Sequence, residues 1–299
     1  MYHRVGGPAA PWMLPTLPVA EFDRQMQHLV VHYDLMRLDE AVAYLSGEGT
    51  VHRRGVVVTF DDGYADNFRY AMPVLLRYNV PATFFIATEY VNDRRLFWWD
   101  QLRYAAHSTT RHDRGRPLAD RLQADAQGML NWDRRAVDDM CRELNVTIPP
   151  SLVDEMVLSW SQIREMYRAG FAFGSHTHTH PYLPRIRPQC FCAELATSRD
   201  LLDSQVPGSF RPFAFPMGDH DPAQEELVRA AGYDCAVTIN QRPYAGAPCL
   251  FRLGRVHETG DFSKFELHAA GVIFPGWESD GGRHHLWSTV HRPGYRAQM

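Results

Sequence analysis

Apolar runs of strand length alternate with helically spaced stretches along most of the chain. Behind Gly55, the residues Val56-Val57-Val58-Thr59-Phe60 form an unbroken apolar, β-branched run, which predicts a strand buried on both faces. It ends in Asp61-Asp62-Gly63-Tyr64. Pro81 to Ala87 predicts the next buried strand. Between them, Phe68 to Tyr78 has helical spacing with Pro73 near a turn or kink, so strand, helix and strand imply a right-handed βαβ unit. Upstream, residues 6–19 are a Gly- and Pro-rich loop. Val19 to Leu35 carries Phe22, Met26, Leu29 and Val30 at helical spacing, and Asp39 to Tyr44 is a shorter helix. Downstream, Ser159 is an N-cap for a helix from Trp160 to Ala169 that stops at Gly170. The alternation then continues through strand Phe171 to His176, helix Cys192 to Leu202, strand Phe213 to Phe215, helix Pro222 to Ala231 and strand Cys235 to Ile239. A strand over Leu250 to Val256 and a helix over Phe262 to Ala270 close it. The class is α/β.

Residues 91–159 break this pattern, being charged and helical without a strand, and read as an insertion or lid on a single domain spanning residues 1–270. Residues 271–299 form a tail of mixed composition. A chain of 299 residues with 45% hydrophobic content has enough material for a large core. The net charge of −4 argues against nucleic acid as a partner, and no run reaches the roughly 18 apolar residues of a membrane span. Met1-Tyr2-His3-Arg4-Val5 lacks the basic and apolar regions of a secretion signal. Five scattered cysteines fit reduced thiols. As written the chain is expected to be cytoplasmic; a start further upstream would allow an extracytoplasmic protein.

Two polar constellations stand at strand ends, where α/β folds place their chemistry. A buried strand gains nothing from two adjacent carboxylates, since an unpaired buried carboxylate costs several kcal/mol. Successive strand residues also face opposite ways, so Asp61 and Asp62 do different jobs. The second constellation is Gly174-Ser175-His176-Thr177-His178-Thr179-His180-Pro181, three imidazoles at alternate positions. Imidazole nitrogen with carboxylate oxygen suits zinc and similar divalent ions, and two His with one carboxylate leave coordination positions open for chemistry.

Thr59-Phe60-Asp61-Asp62-Gly63 and His176-Thr177-His178-Thr179-His180 together resemble the first two motifs of the polysaccharide deacetylases, carbohydrate esterase family four. Phe213-Ala214-Phe215-Pro216-Met217-Gly218 resembles a variant of the third motif. Tyr2-His3-Arg4-Val5 is similar to the segment that often ends the first strand there. The resemblance spans roughly residues 1 to 260. It implies a deformed (β/α) barrel with a helical insertion and the hydrolysis of an acetyl group, N-acetyl before O-acetyl, from an acetylated carbohydrate. It assigns Asp62, His176 and His180 to a divalent metal, zinc first with cobalt or nickel as alternatives. Asp61 becomes the general base, Thr177 a brace for the loop, and the Met217 N–H an oxyanion donor. His178 falls on a variable position of the motif.

Two departures follow. The family's third motif carries an Arg that orients the base, but Ala214 stands in its place, and Arg211 lies three residues too early. Arg252 or Arg255, on a later strand end, is expected to supply the charge, with Arg255 preferred. The late leucine-x-histidine motif is replaced by Leu253-Gly254-Arg255-Val256-His257, which leaves His257 as the candidate acid for the leaving amine. Tyr64 and Phe215 are candidate substrate contacts. So are Trp98 and Trp99 in Phe97-Trp98-Trp99-Asp100, a cluster that either stacks on sugar rings or anchors the insertion. Cys190 and Cys192 read as ordinary thiols, and His284, His285 and His291 as surface residues. Two rival readings stay open: hydrolysis of a non-sugar amide or imide on the same scaffold, and a barrel that binds metal or glycan without turnover.

Overall fold

The computed structural model describes residues 1–7, 10–48, 54–109, 134–239 and 249–270. The tail 271–299, with its three histidines, lies outside them, as does much of the expected insertion. Two compact units account for the described residues. One is drawn from within Met1–Pro8, Thr16–Phe97 and Pro149–Ile273, the other from within Ala9–Pro15 and Trp98–Ile148.

In the larger unit, β1 (Val5–Gly6) pairs with β2 (Leu17–Pro18), and β3 (Asp34–Leu35) with β4 (Gly55–Val56). The main sheet comprises β5 (Val58–Phe60), β6 (Ala82–Ile86), β7 (Ala172–Ser175), β8 (Pro212–Ala214), β9 (Cys235–Thr238) and β10 (Leu253–Gly254). All six run parallel, in spatial order β10-β9-β8-β7-β6-β5. Their residues are buried almost without interruption, as expected of parallel strands covered on both faces by helices. The apolar run from Val56 to Phe60 is therefore not one strand. Gly55–Val56 pairs with Asp34–Leu35, and the chain joins the main sheet only from Val58.

The outer strands of this sheet are joined by the first two residues of the chain. Tyr2 bridges Phe60 in parallel, with the Tyr2 N–H donating to the Thr59 carbonyl (2.8 Å) and the Asp61 N–H to the Tyr2 carbonyl (3.0 Å). On the other side, the Met1 nitrogen donates to the Val256 carbonyl (2.5 Å) and the Glu258 N–H to the Met1 carbonyl (2.9 Å). Met1–Tyr2 thus acts as a closing stave between β5 and the segment that follows β10, and the sheet curls into a (β/α) barrel. Tyr2 reinforces the seam through Gln25, whose side chain accepts from the Tyr2 hydroxyl (2.9 Å) and donates to the Thr259 carbonyl (2.8 Å).

The helix expected over Phe68 to Tyr78 is a π-helical turn, Asn67–Ala71, running into an α-helix, Met72–Tyr78. Pro73 explains the change. It has no N–H to donate and its ring crowds the preceding turn, so the chain widens just before it. The helix Pro188–Gln205 is longer at both ends than the expected Cys192 to Leu202, starting with proline in its first turn. The smaller unit contains the helices Trp98–Ser108 and Arg134–Glu143, joined by a hydrogen bond from the Gln101 amide to Asp138 (3.1 Å).

Gly174 marks the tightest packing in the sheet. A Cβ there would lie 2.6 Å from the Pro212 carbonyl oxygen and 2.7 Å from the Phe85 ring. Gly174→Ala is expected to lower stability by about 1–3 kcal/mol through overpacking, read as a lower urea midpoint.

Candidate active site

The exit of β6 holds both polar loops. The Ala87 N–H donates to the Asp62 carbonyl (3.1 Å), and the His176 N–H donates to the Ile86 carbonyl (2.9 Å). Immediately after, the N–H groups of Thr88 and Glu89 donate to the carbonyls of Thr177 (3.2 Å) and His178 (2.9 Å). One strand end therefore sets the relative position of the two motifs. The backbone is strained at the same place: Asp62 (φ 74°), Thr177 (φ 63°) and His180 (φ 55°) are all left-handed. Such residues persist only where the surroundings over-determine them, and they cluster at functional sites.

Asp62, His176 and His180 are buried, and one ligand atom from each lies within 4.8 Å of the others. Asp62 Oδ1 stands 3.5 Å from His176 Nε2 and 3.6 Å from His180 Nε2. Ligands at about 2.1 Å around a tetrahedral ion are separated by roughly 3.4 Å, so the spacing fits a shared cation. His176 Nδ1 is 2.8 Å from the Ala214 carbonyl, which can only accept, so Nδ1 carries the proton and the Nε2 lone pair faces Asp62. Burial lowers both imidazoles from their ordinary values, and the neighbouring His176 lowers His180 further, keeping them in the neutral form that binds a metal. Thr177 braces the loop: its hydroxyl donates to the His176 carbonyl (2.5 Å) and accepts from the His180 N–H (3.0 Å).

Asp61 points the other way and meets Arg255. Arg255 Nη1 donates to Asp61 Oδ1 (2.7 Å) and Nη2 to Oδ2 (2.6 Å), and Nη1 also reaches Thr59 Oγ1 (3.1 Å). Asp61 is 2% exposed and Arg255 8%. Burial alone would raise the Asp61 carboxyl, but the charge of Arg255, helped by His176, holds it well below the usual carboxylate range. Of the two arginines considered, Arg252 instead forms a two-point pair with Glu225 (2.6 and 2.9 Å). Arg211, on the near side of β8, bonds Asp203 and the Phe173 and Val206 carbonyls.

Met217 sits half-buried with left-handed φ (57°) in the turn Pro216–Gly218. The Gly218 carbonyl in this turn accepts from Thr238 Oγ1 and His220 Nδ1, both at 2.8 Å. His257 lies beside His3, ring centroids 5.8 Å apart, and together with Glu258 these form a second group whose ligand atoms lie within 4.8 Å of one another. Burial drives His257 down to about 3 and His3 to about 4, while it raises Glu258 to about 7.

The expected substrate contacts are placed differently. Tyr64 is fully buried, its ring covered by Arg4 (4.7 Å) and packed on Phe97 (4.6 Å). Phe215 is 1% exposed, in a core cluster with Phe213, Phe191 and Leu195, and stacked on His220 (3.9 Å). Both stand in the core, Tyr64 covered by Arg4 and Phe97 and Phe215 by His220 and the Phe213 cluster. Trp98 and Trp99 are also buried, packed edge-to-face (5.3 Å) in the smaller unit, which matches the anchoring alternative for that cluster. Sequence reasoning missed Glu194, whose carboxylate accepts from His178 N–H (2.8 Å), Thr179 N–H (2.7 Å) and Thr179 Oγ1 (2.8 Å). Its only sequence signal was an acid in the helix expected over Cys192 to Leu202, just after the histidine loop.

Known proteins share this fold. The Streptococcus pyogenes deacetylase PplD, solved in complex with acetate, superposes with a TM-score of 0.64 at 20% identity, over 90% of this chain and 95% of that one. IcaB from Ammonifex degensii gives 0.61 at 24% identity, over 91% and 94%. In sequence, YxkH of Bacillus subtilis (strain 168), which bears the name of a polysaccharide deacetylase, is 22% identical over 241 residues. That match covers 80% of this chain and 64% of YxkH, so the chain spans about two thirds of its relative's length. A sequence model described as polysaccharide deacetylase matches residues 48–236, which include the strand-end acids, the histidine loop and the turn after β8. On that match the chain belongs to the polysaccharide deacetylase family.

Proposed function

We propose that this protein is a metal-dependent hydrolase that removes acetyl groups, N-acetyl first, from a sugar, oligosaccharide or polysaccharide. The observation that carries the reading is the division of labour between two adjacent acids: Asp61 locked by Arg255, and Asp62 facing two neutral imidazoles. Asp62, His176 and His180 would hold the cation, zinc in first place with cobalt or nickel as alternatives. Such an ion supplies Lewis acidity that acidifies water and polarises an acetyl carbonyl. Asp61 takes the proton of the attacking water, and its depressed pKa keeps it ready as a base. Arg255 fixes the carboxylate plane. The Met217 N–H donates to the developing oxyanion. The proton for the leaving amine comes from Glu258, raised to about 7 and so protonated in part near neutrality, with the neutral His257 beside it able to relay that proton rather than supply one of its own.

Acetate release tests the reading. Metal-stripped protein is assayed on N-acetylglucosamine oligomers, other acetylated glycans and small N-acetyl amides, before and after adding Zn, Co or Ni. Release from a glycan that appears only with metal is the expected result. Release from small amides alone would replace the sugar with another amide. No release from any substrate, with metal bound stoichiometrically, would point to a binding barrel.

A further inference from the structure

We infer that Glu194 is a positioning residue for the metal-ligand loop, setting how tightly the cation is held without touching it. The inference rests on the metal reading of Asp62, His176 and His180. Glu194 stands half-buried in the helix Pro188–Gln205, facing the segment between the two histidine ligands. One of its oxygens accepts from two consecutive backbone N–H groups, His178 (2.8 Å) and Thr179 (2.7 Å), and the other accepts from Thr179 Oγ1 (2.8 Å). Among the described residues, all its side-chain hydrogen bonds go to this loop and no Arg or Lys pairs with it.

The loop needs such a partner. It passes through left-handed φ at Thr177 and again at His180, a β-branched residue and a bulky one, where such backbone is unfavourable. Its carbonyls at Thr177 and His178 are tied on the opposite side to the N–H groups of Thr88 and Glu89, and the His178 ring meets Thr88 Oγ1 at 2.9 Å. The loop is thus hydrogen-bonded on both sides: the Thr177 and His178 carbonyls to the β6 exit, the His178 and Thr179 N–H groups to Glu194. The two ligands depend on it unequally. His176 is independently oriented by the Ala214 carbonyl through Nδ1. His180 takes its position from the backbone that precedes it, through its N–H on Thr177 Oγ1. Loss of Glu194 therefore loosens the loop between His176 and His180 and with it the preorganisation of the three ligands. Groups that orient metal ligands from behind typically change affinity by about 10–100-fold when removed.

The test is direct cation binding to the full chain, measured by chelator competition with Zn and by the visible absorption of Co, neither of which needs turnover. Glu194→Gln keeps the size but offers one acceptor where two were used, and it is expected to weaken binding by about 10–100-fold. Thr179→Val, which removes only the hydroxyl bond, is expected to give a smaller loss in the same direction and serves if Glu194→Gln does not fold. A lowered thermal midpoint of the metal-free variant with unchanged cation affinity would show a purely structural role and overturn the inference. Wild-type protein that binds a cation while both variants bind it equally well would overturn it too, leaving the deacetylase reading intact. Wild-type protein that binds no stoichiometric cation would overturn both.

Discussion

Asp61→Asn is expected to lower acetate release by about 10²- to 10⁴-fold, the range that a general base contributes, while the protein keeps one bound cation. The substitution preserves shape and leaves Asp62, His176 and His180 untouched. It removes the negative charge that Arg255 pairs with and the proton-accepting role proposed for Asp61. Steady-state acetate release and metal analysis on the same preparation check it. A variant with near-wild-type turnover would remove Asp61 from the reaction; one that lost its metal as well would mean that the two acids share one task.

The second large effect falls on stability. Arg255→Ala leaves a buried carboxylate, 2% exposed, without its cation. Breaking a buried pair in this way typically costs about 3–5 kcal/mol. The pH dependence follows from the direction of the Asp61 shift. Its folded-state pKa is depressed, so in the wild type it contributes stability above the unfolded value of about 4 and loses that contribution as pH falls below it. Without Arg255, burial, the largest cause, is opposed only by His176 and His3 and raises the carboxyl, so the variant suffers most where Asp61 must be ionised. The gap between wild type and variant is therefore largest at neutral pH and narrows as pH falls through the variant's carboxyl value, raised above the ordinary value of about 4. Urea unfolding of metal-free protein at pH 7 and pH 4 measures both quantities. A gap that stayed constant across that range would show that Arg255 stabilises by packing on Phe85, which it covers at 5.3 Å, rather than through its charge.

Much of this arrangement was legible before any coordinates. Parallel strands buried on both faces are continuous apolar runs, so β6, β7, β8 and β9 were found close to their observed ends. The two acids and the histidine loop were legible because polar residues that abruptly end such a run have no core role. What was not legible depends on contacts distant in sequence. For the Asp61–Arg255 pair, 194 residues apart, the missing arginine at Ala214 narrows the partner to Arg252 or Arg255 with Arg255 preferred, but nothing local separates it from Arg252, which pairs with Glu225. The strand break at Val57 follows from the pairing of Gly55–Val56 with Asp34–Leu35, and Asp34 and Gly55 lie outside the apolar run itself. Tyr64 and Phe215 adjoin the motifs, yet Arg4 and Phe97 cover one and His220 the other, so adjacency misread their role.

The closing stave of Met1 and Tyr2 also bears on the order in which the protein assembles. The Met1–Val256 bond spans 255 residues, and such distant pairings form only after the entropy of closing a long loop has been met. A chain emerging from the ribosome can build the β5–β6 unit early and, later, the histidine loop against it. Asp61 then sits on a finished strand with its cationic partner still unmade. Asp61 acquires its arginine only when Arg255 has been synthesised and the strand before it has joined the sheet. The Asp61–Arg255 contact is in this sense among the late ones the fold can make, and it lies beside the barrel seam.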